Sequence, residues 1–200
     1  MTQNTNAPTY DFTVDPLANA FSVTAQEYID LHPVEELNLK YRFLAAAACV
    51  IDDQSPPRTL LIQRAESDSM PGRWEIPGGA CDDEDPTVLH SVVRECWEES
   101  GLIPSRVGPQ IGDGHVFWTR SGRLVRRFTF LAIVKPGEDG NHDVKLDPKE
   151  HQAFVWATED EVKAYRAQDI NLKFTNGKQR ETILQAFSIK RNLTSPTSEP

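Results

Sequence analysis

The run Arg94-Glu95-Cys96-Trp97-Glu98-Glu99-Ser100-Gly101 constrains this chain more than any other segment, because it sets three carboxylates near the end of one helix. The punctuation around it predicts that helix. Asp85 suits the N-cap, Pro86 the first helical position and Gly101 the left-handed residue past the last turn. Over about 86–100, Leu89, Val92, Val93, Cys96 and Trp97 form one apolar stripe that docks on a sheet. At about 100° per residue, Glu95, Glu98 and Glu99 gather beside that stripe and not opposite it. Their mutual repulsion and the negative end of the helix dipole cost on the order of 1–4 kcal/mol. A pairing of Arg94 with Glu98 returns only about 0.3–0.5 kcal/mol. A hard divalent cation would offset the difference, since such ions prefer carboxylate and water oxygens. The competing reading is a solvated acidic face.

The preceding loop favours the cation. Trp74-Glu75-Ile76-Pro77-Gly78-Gly79 is a strand-like run broken by Pro-Gly-Gly, where backbone can come close to a ligand. Together, loop and helix resemble the signature of the Nudix hydrolases, G-x5-E-x7-R-E-U-x-E-E-x-G-U with U apolar. Residues 94–102 match its second half at every specified position, and Gly79 matches its first glycine. One departure stands in the middle. Five residues separate Gly79 from Asp85, which stands where the signature has Glu, and eight residues rather than seven separate Asp85 from Arg94. Asp85, or else Glu84, takes the place of the early acid.

The resemblance implies an α/β fold, an α/β/α sandwich with a mixed central sheet. It also implies metal-dependent hydrolysis of a diphosphate bond in a nucleoside diphosphate linked to another group, with Mg²⁺ or Mn²⁺ as cofactor. On this chain it casts Glu95 and Glu99 as metal ligands, with the Gly79 carbonyl as a third. Glu98 either ligates metal or takes a proton from water, and Arg94 orients a carboxylate. Glu150, in a loop before a late strand, is a further catalytic or metal-binding acid, whereas His151 beside it reads as a solvated or hydrogen-bonded loop residue. The alternatives are a catalytically silent binding or regulatory module, and a hydrolase of a non-nucleotide diphosphate such as a prenyl diphosphate.

Substrate contacts are sought among Arg64, Trp74, Arg126 and Phe128. Arginine grips phosphate bidentately and aromatic rings stack on bases. Arg126 and Arg127 face opposite sides of a strand, so at most one meets the ligand. The expected partner is a small diphosphate compound, and a homodimer is compatible with the family.

Around this centre, strands are expected at 41–51, 59–64, 115–119, 124–134 and 153–156, with a turn at 52–57. Capping-box pairs Thr24/Glu27 and Thr158/Glu161 open two further helices, the first closed by Pro33 and the second running toward Ala167. A last amphipathic helix starts near Gly177. Residues 1–20 read as a flexible arm, 21–190 as the domain and 191–200 as a flexible tail. Acidic residues outnumber basic ones by 30 to 21, a net charge of −9 that argues against non-specific nucleic-acid binding. No run of about 18 apolar residues predicts a membrane span, and no secretory signal is visible at the N-terminus. Cys49, Cys81 and Cys96 contain no CxxC pair, so neither a disulfide framework nor a zinc site is expected. An intracellular setting, cytoplasmic or nuclear, fits these features.

Overall fold

A computed structural model describes residues 8–32 and 41–194 of the chain. In order, these form β1 (Thr13–Val14), a 3-10 segment (Pro16–Phe21), α1 (Ala25–Leu31), β2 (Phe43–Val50), β3 (Arg58–Arg64), β4 (Trp74–Glu75) and β5 (Gly78–Ala80). Then come α2 (Val88–Ser100), β6 (Arg106–Gln110), β7 (His115–Trp118), β8 (Leu124–Ile133) and β9 (His151–Thr158). The chain continues through α3 (Glu159–Ala164), β10 (Arg166–Ala167), β11 (Ile170–Asn171) and α4 (Gly177–Thr194).

The central sheet runs β1-β6-β8-β2-β5, with β7 also paired to β8. It is mixed: β2 lies parallel to β8 from Phe43↔Val125 to Val50↔Ala132, and β1 parallel to β6, while the other pairs are antiparallel. Leu44 to Val50 are all buried, as befits a strand covered on both faces. A second sheet, β4-β3-β9, joins the first through the Ile51↔Thr59 bridge. Alternation along β2 divides the interior. Leu44, Ala46, Ala48 and Val50 pack with Val88, Leu89, Val92, Val93 and Cys96 of α2. Ala47 and Cys49 pack on the other side with Leu61, Trp74, Ile76 and with Ile183, Ala186 and Phe187 of α4. Helices therefore cover both faces of the sheet layer, the expected α/β/α sandwich.

Both capping boxes form, at Thr24–Glu27 and Thr158–Glu161. Gly101 ends α2 in the left-handed region at φ 72°. The start of α2 differs from expectation. Thr87 is its N-cap, accepting from the His90 N–H, and the helix begins at Val88. Asp85 does not cap it because its carboxylate is taken by Arg94. Helix α3 stops at Ala164, short of Ala167, because Tyr165 turns left-handed at φ 56° and feeds the small β10–β11 hairpin.

The described part of the expected N-terminal arm is not free. Thr13–Val14 pairs with β6, Arg106 bonds Asp15, and Ala18 and Phe21 are buried in the α2-side core. That burial, unannounced by any apolar period, is what holds 13–21 down. At the other end α4 continues through Thr194. Residues 1–7 of the arm, Pro33, and residues 195–200 of the tail lie outside the described residues. Cys49, Cys81 and Cys96 are free thiols, Cys49 and Cys96 fully buried. Among the described residues no helix is long and apolar enough to cross a membrane.

Candidate active site

The site forms where the β4–β5 loop meets the C-terminal half of α2. Gly78 and Gly79 face Ala47 and Ala46 of β2, so this loop is held as an edge strand against the sheet. Gly78 has φ 152°, and a Cβ there would fall 2.4 Å from the Ala46 carbonyl oxygen. With no side chain to clash, its N–H donates to Glu99 Oε2 at 2.7 Å. At Gly79, a Cβ would fall 2.7 Å from Glu95 Oε2. The glycine pair thus lets two helix carboxylates lie directly against loop backbone.

Arg94 organises the rest. Its guanidinium donates to both Asp85 oxygens at 2.9 and 2.8 Å, to the Ala80 carbonyl at 2.8 Å, to Glu95 at 2.8 Å and to Glu98 at 2.9 Å. Asp85 is buried, whereas Glu84 is exposed, so Asp85 is the loop acid that Arg94 holds. Burial works to raise the Asp85 pKa, but the bonds from Arg94, Ser91 and the Asp82 N–H outweigh it and hold the carboxyl below its ordinary value.

Glu95 and Glu99 go the other way. Burial, with Glu98 and Asp82 nearby, pushes Glu95 up to about 7 despite Arg94. Burial and the adjacent charge of Glu95 and Glu75 raise Glu99 well above its usual value, against the Gly78 N–H and Arg127. Two buried carboxylates disfavoured in their charged form, beside a backbone left open by glycine, fit a hard divalent cation: its charge would remove that penalty. Glu98 differs from both, being exposed and held on one side by Arg94.

Glu150 and His151 approach Glu99 from the start of β9. Ligand atoms of Glu99, Glu150 and His151 lie within 4.8 Å of one another, with Glu150 exposed and His151 buried. His151 Nε2 is 3.3 Å from Glu75 Oε1, and Arg64 holds that same Glu75 oxygen from strand β3. His151 is thus a buried, hydrogen-bonded residue and not a solvated one. Glu75 escaped the sequence reading because nothing local marks a strand carboxylate as buried; its burial follows from the β3–β4 pairing at Ile62↔Glu75.

The substrate candidates divide. Trp74 is 2% exposed and Phe128 1%, so both are core and neither can stack on a ligand. Arg126 faces away, with its guanidinium over Tyr41 and Phe128 and bonded to the Asp113 carbonyl. Arg127 takes the site side. It reaches the Gly78 carbonyl at 3.4 Å and lines a cavity of about 700 Å³ with Gly79, Ala80, Phe43, Phe117 and Arg123. Arg64 pairs with Glu75 and Asp68, and so supports the site from behind.

Known structures share this arrangement of chain. A MutT NUDIX hydrolase from Burkholderia pseudomallei matches with TM-score 0.53 and 23% identity over 72% of this chain and 96% of its own. A C. elegans Ap4A hydrolase, solved as a binary complex, matches with TM-score 0.53 and 19% identity over 75% and 98%. The NUDIX domain of Shewanella oneidensis NrtR, cocrystallised with ADP ribose, matches with TM-score 0.57 and 19% identity over 86% and 100%. At these identities the likeness shows the fold. A search among curated proteins finds no match. The family model of the NUDIX domain, however, matches residues 41–176, which span both sheets, the glycine loop and the carboxylate helix, and the chain therefore belongs to the Nudix hydrolase family.

Proposed function

We propose that this Nudix pyrophosphohydrolase cleaves the diphosphate bond of a nucleoside diphosphate linked to a second group, with Mg²⁺ or Mn²⁺ bound by Glu95, Glu99 and the Gly79 carbonyl. The observation that carries this reading is that buried Glu99 and largely buried Glu95 are pressed against Gly78 and Gly79 and disfavoured in their charged form even with Arg94 and Arg127 beside them. The bound cation would neutralise phosphate charge, acidify water and stabilise the departing oxygen. The protein supplies the positioning on which phosphoryl transfer chiefly depends.

Arg127 enters the cavity beside the glycine loop and grips the diphosphate. Water attacks one phosphorus, the bridging P–O bond breaks, and two phosphorylated products leave. Glu98 is reachable from solvent and fixed by Arg94, so it accepts the proton of that water. Arg94 holds Glu98, Glu95 and Asp85 in one array and acts as a positioning residue. Ap4A and ADP ribose, named with two of the structural neighbours, are compounds of this class and support a small nucleotide substrate.

The test is a panel of nucleoside diphosphate sugars, dinucleoside polyphosphates, nucleoside triphosphates and a prenyl diphosphate, assayed for phosphate products with Mg²⁺ and with Mn²⁺. Turnover of a nucleotide compound that needs metal and is abolished in E99Q supports the reading. Full activity of E99Q, or turnover confined to the prenyl compound, overturns it.

A further inference from the structure

We infer that Phe43 and Phe117 form a clamp for the nucleobase of the substrate, with Val125 as its floor and Arg127 one step away as the first phosphate contact. The inference rests on the hydrolase reading and deepens it, by stating where the nucleoside end of the compound is held.

Strand register builds the clamp. Val125 of β8 is paired with Phe43 of β2 on one side and with Phe117 of β7 on the other. Residues in direct register share a face of the sheet, so the two rings rise on either side of a small aliphatic side chain. Two strand spacings set their backbones about 10 Å apart. A flat ring in contact with both needs about 7–8 Å, twice the usual carbon–carbon contact distance. The slot therefore has the width of one nucleobase. All three residues line the cavity of about 700 Å³ beside the glycine loop.

Neither ring serves as core. Phe43 is 41% exposed, Phe117 is half-buried, and among the described residues neither belongs to either hydrophobic cluster. Arg123, two residues before Val125 and on its face, sets its guanidinium 4.9 Å from the centre of the Phe43 ring, a cation–π contact that steadies it. Stacking on a base would cover both aromatic faces, and it tolerates any base because each has a π-face.

The phosphate end follows from the same register. Arg127 lies two residues from Val125 on the same face, about 7 Å along the strand. It is paired with Ala45, whose partner on the other side is Ala80, next to Gly79. The slot comes first, then Arg127 and the glycines, which is the order of base, ribose and phosphates in a nucleoside diphosphate. A hydrocarbon chain is the poorer occupant. Thr119, Ser121, Asp82 and Asp83 also line the cavity, and an apolar chain would strip their hydration and return no hydrogen bond. A nucleoside returns one through its hydroxyl and ring groups.

The test has a binding arm and a kinetic arm, both on the full chain. Adenosine and uridine monophosphates, added without metal, should give nuclear Overhauser contacts between base protons and phenylalanine ring protons that weaken or vanish in F117L. For the nucleotide turned over, F43L and F117L should each raise KM about tenfold and leave kcat within about twofold. A base-free ribosyl diphosphate should show no such rise, and neither should W118L, whose side chain leaves the opposite face of β7. F43L alters an exposed side chain and keeps the test available if F117L unfolds. Absence of base-to-phenylalanine contacts, an unmoved nucleotide KM in both variants, or an equal rise with the base-free compound or in W118L overturns the clamp. Nucleotide turnover with KM unmoved in both variants removes this inference alone, whereas base contacts without any diphosphate turnover remove the hydrolase reading alone.

Discussion

Arg94 Nε and Nη2 meet the two carboxylate oxygens of Asp85 at 2.9 and 2.8 Å, joining the middle of the acidic helix to the loop that follows the glycines. The lengthened loop therefore still delivers an acid to the arginine. Both side chains are largely buried, at 15% and 9% exposure, so the pair is desolvated and sensitive to loss of either partner.

D85N leaves Arg94 with Glu95 and Glu98 but removes its best-aligned partner. Breaking such a buried pair costs about 3 kcal/mol. The expected Tm loss is roughly 6–12 °C at this chain length. R94K keeps the charge and loses the fork, so its kcat should fall about tenfold or more with KM little changed. Thermal melts and steady-state kinetics check both, and a D85N protein as stable as wild type would exclude the coupling.

The glycines make separable predictions. In G78A the new Cβ meets Ala46 and Ala47 backbone, which cannot give way, and φ of 152° is strained for alanine, so little folded protein is expected. In G79A the Cβ meets only the end of the Glu95 side chain, which can swing aside. G79A should melt within about 3 °C of wild type yet lose about 10- to 100-fold of metal-dependent turnover. Circular dichroism separates the two variants before any assay is run.

Arg126 and Arg127 are adjacent in β8 but face opposite sides of the sheet. R127Q is expected to raise KM about tenfold or more, the effect of removing a charge-assisted phosphate contact. R126Q gives up a carbonyl bond and contacts with Tyr41 and Phe128, so it should lower Tm slightly and leave KM within about twofold. The reverse pattern in initial-rate kinetics would exchange their roles.

Features set within a few residues were legible beforehand. The 3.6-residue period placed the α2 carboxylates beside the buried stripe, and Thr24, Thr158 and Gly101 marked helix ends through local hydrogen bonding and backbone preference. What stayed hidden depends on distant pairing. Alternation says that Arg126 and Arg127 oppose each other, but only the pairing of Arg127 with Ala45 of β2 decides which one faces the glycines. Trp74 and Phe128 are aromatic residues of a kind that serves core or ligand equally, and their neighbours Phe174, Phe21 and Tyr28 come from remote segments. Glu75 and His151 meet from strands β4 and β9, 76 residues apart in sequence. Strand β6 was missed because Gly108 and Pro109 interrupt its short run.

The raised carboxylates fix a pH dependence whose sign can be worked out. Glu95 titrates at about 7 in the folded protein against an ordinary value of 4.5, because burial penalises its charge. Its protonated form is favoured by folding, so its contribution to stability is complete below about pH 4.5 and is lost as pH rises through about 7. Glu99 is shifted in the same direction. Asp85 is shifted oppositely and favours folding as pH rises above its lowered value, so the whole-protein curve mixes both signs. The difference between wild type and E95Q isolates the Glu95 part. In EDTA, E95Q should match the wild-type Tm near pH 4.5 and exceed it by a few degrees at pH 7.5. Saturating Mg²⁺ should erase or invert that gap at pH 7.5, since a cation bound only by the folded wild type stabilises it by mass action. A Tm difference independent of both pH and Mg²⁺ would mean that Glu95 is neither strained by burial nor relieved by metal.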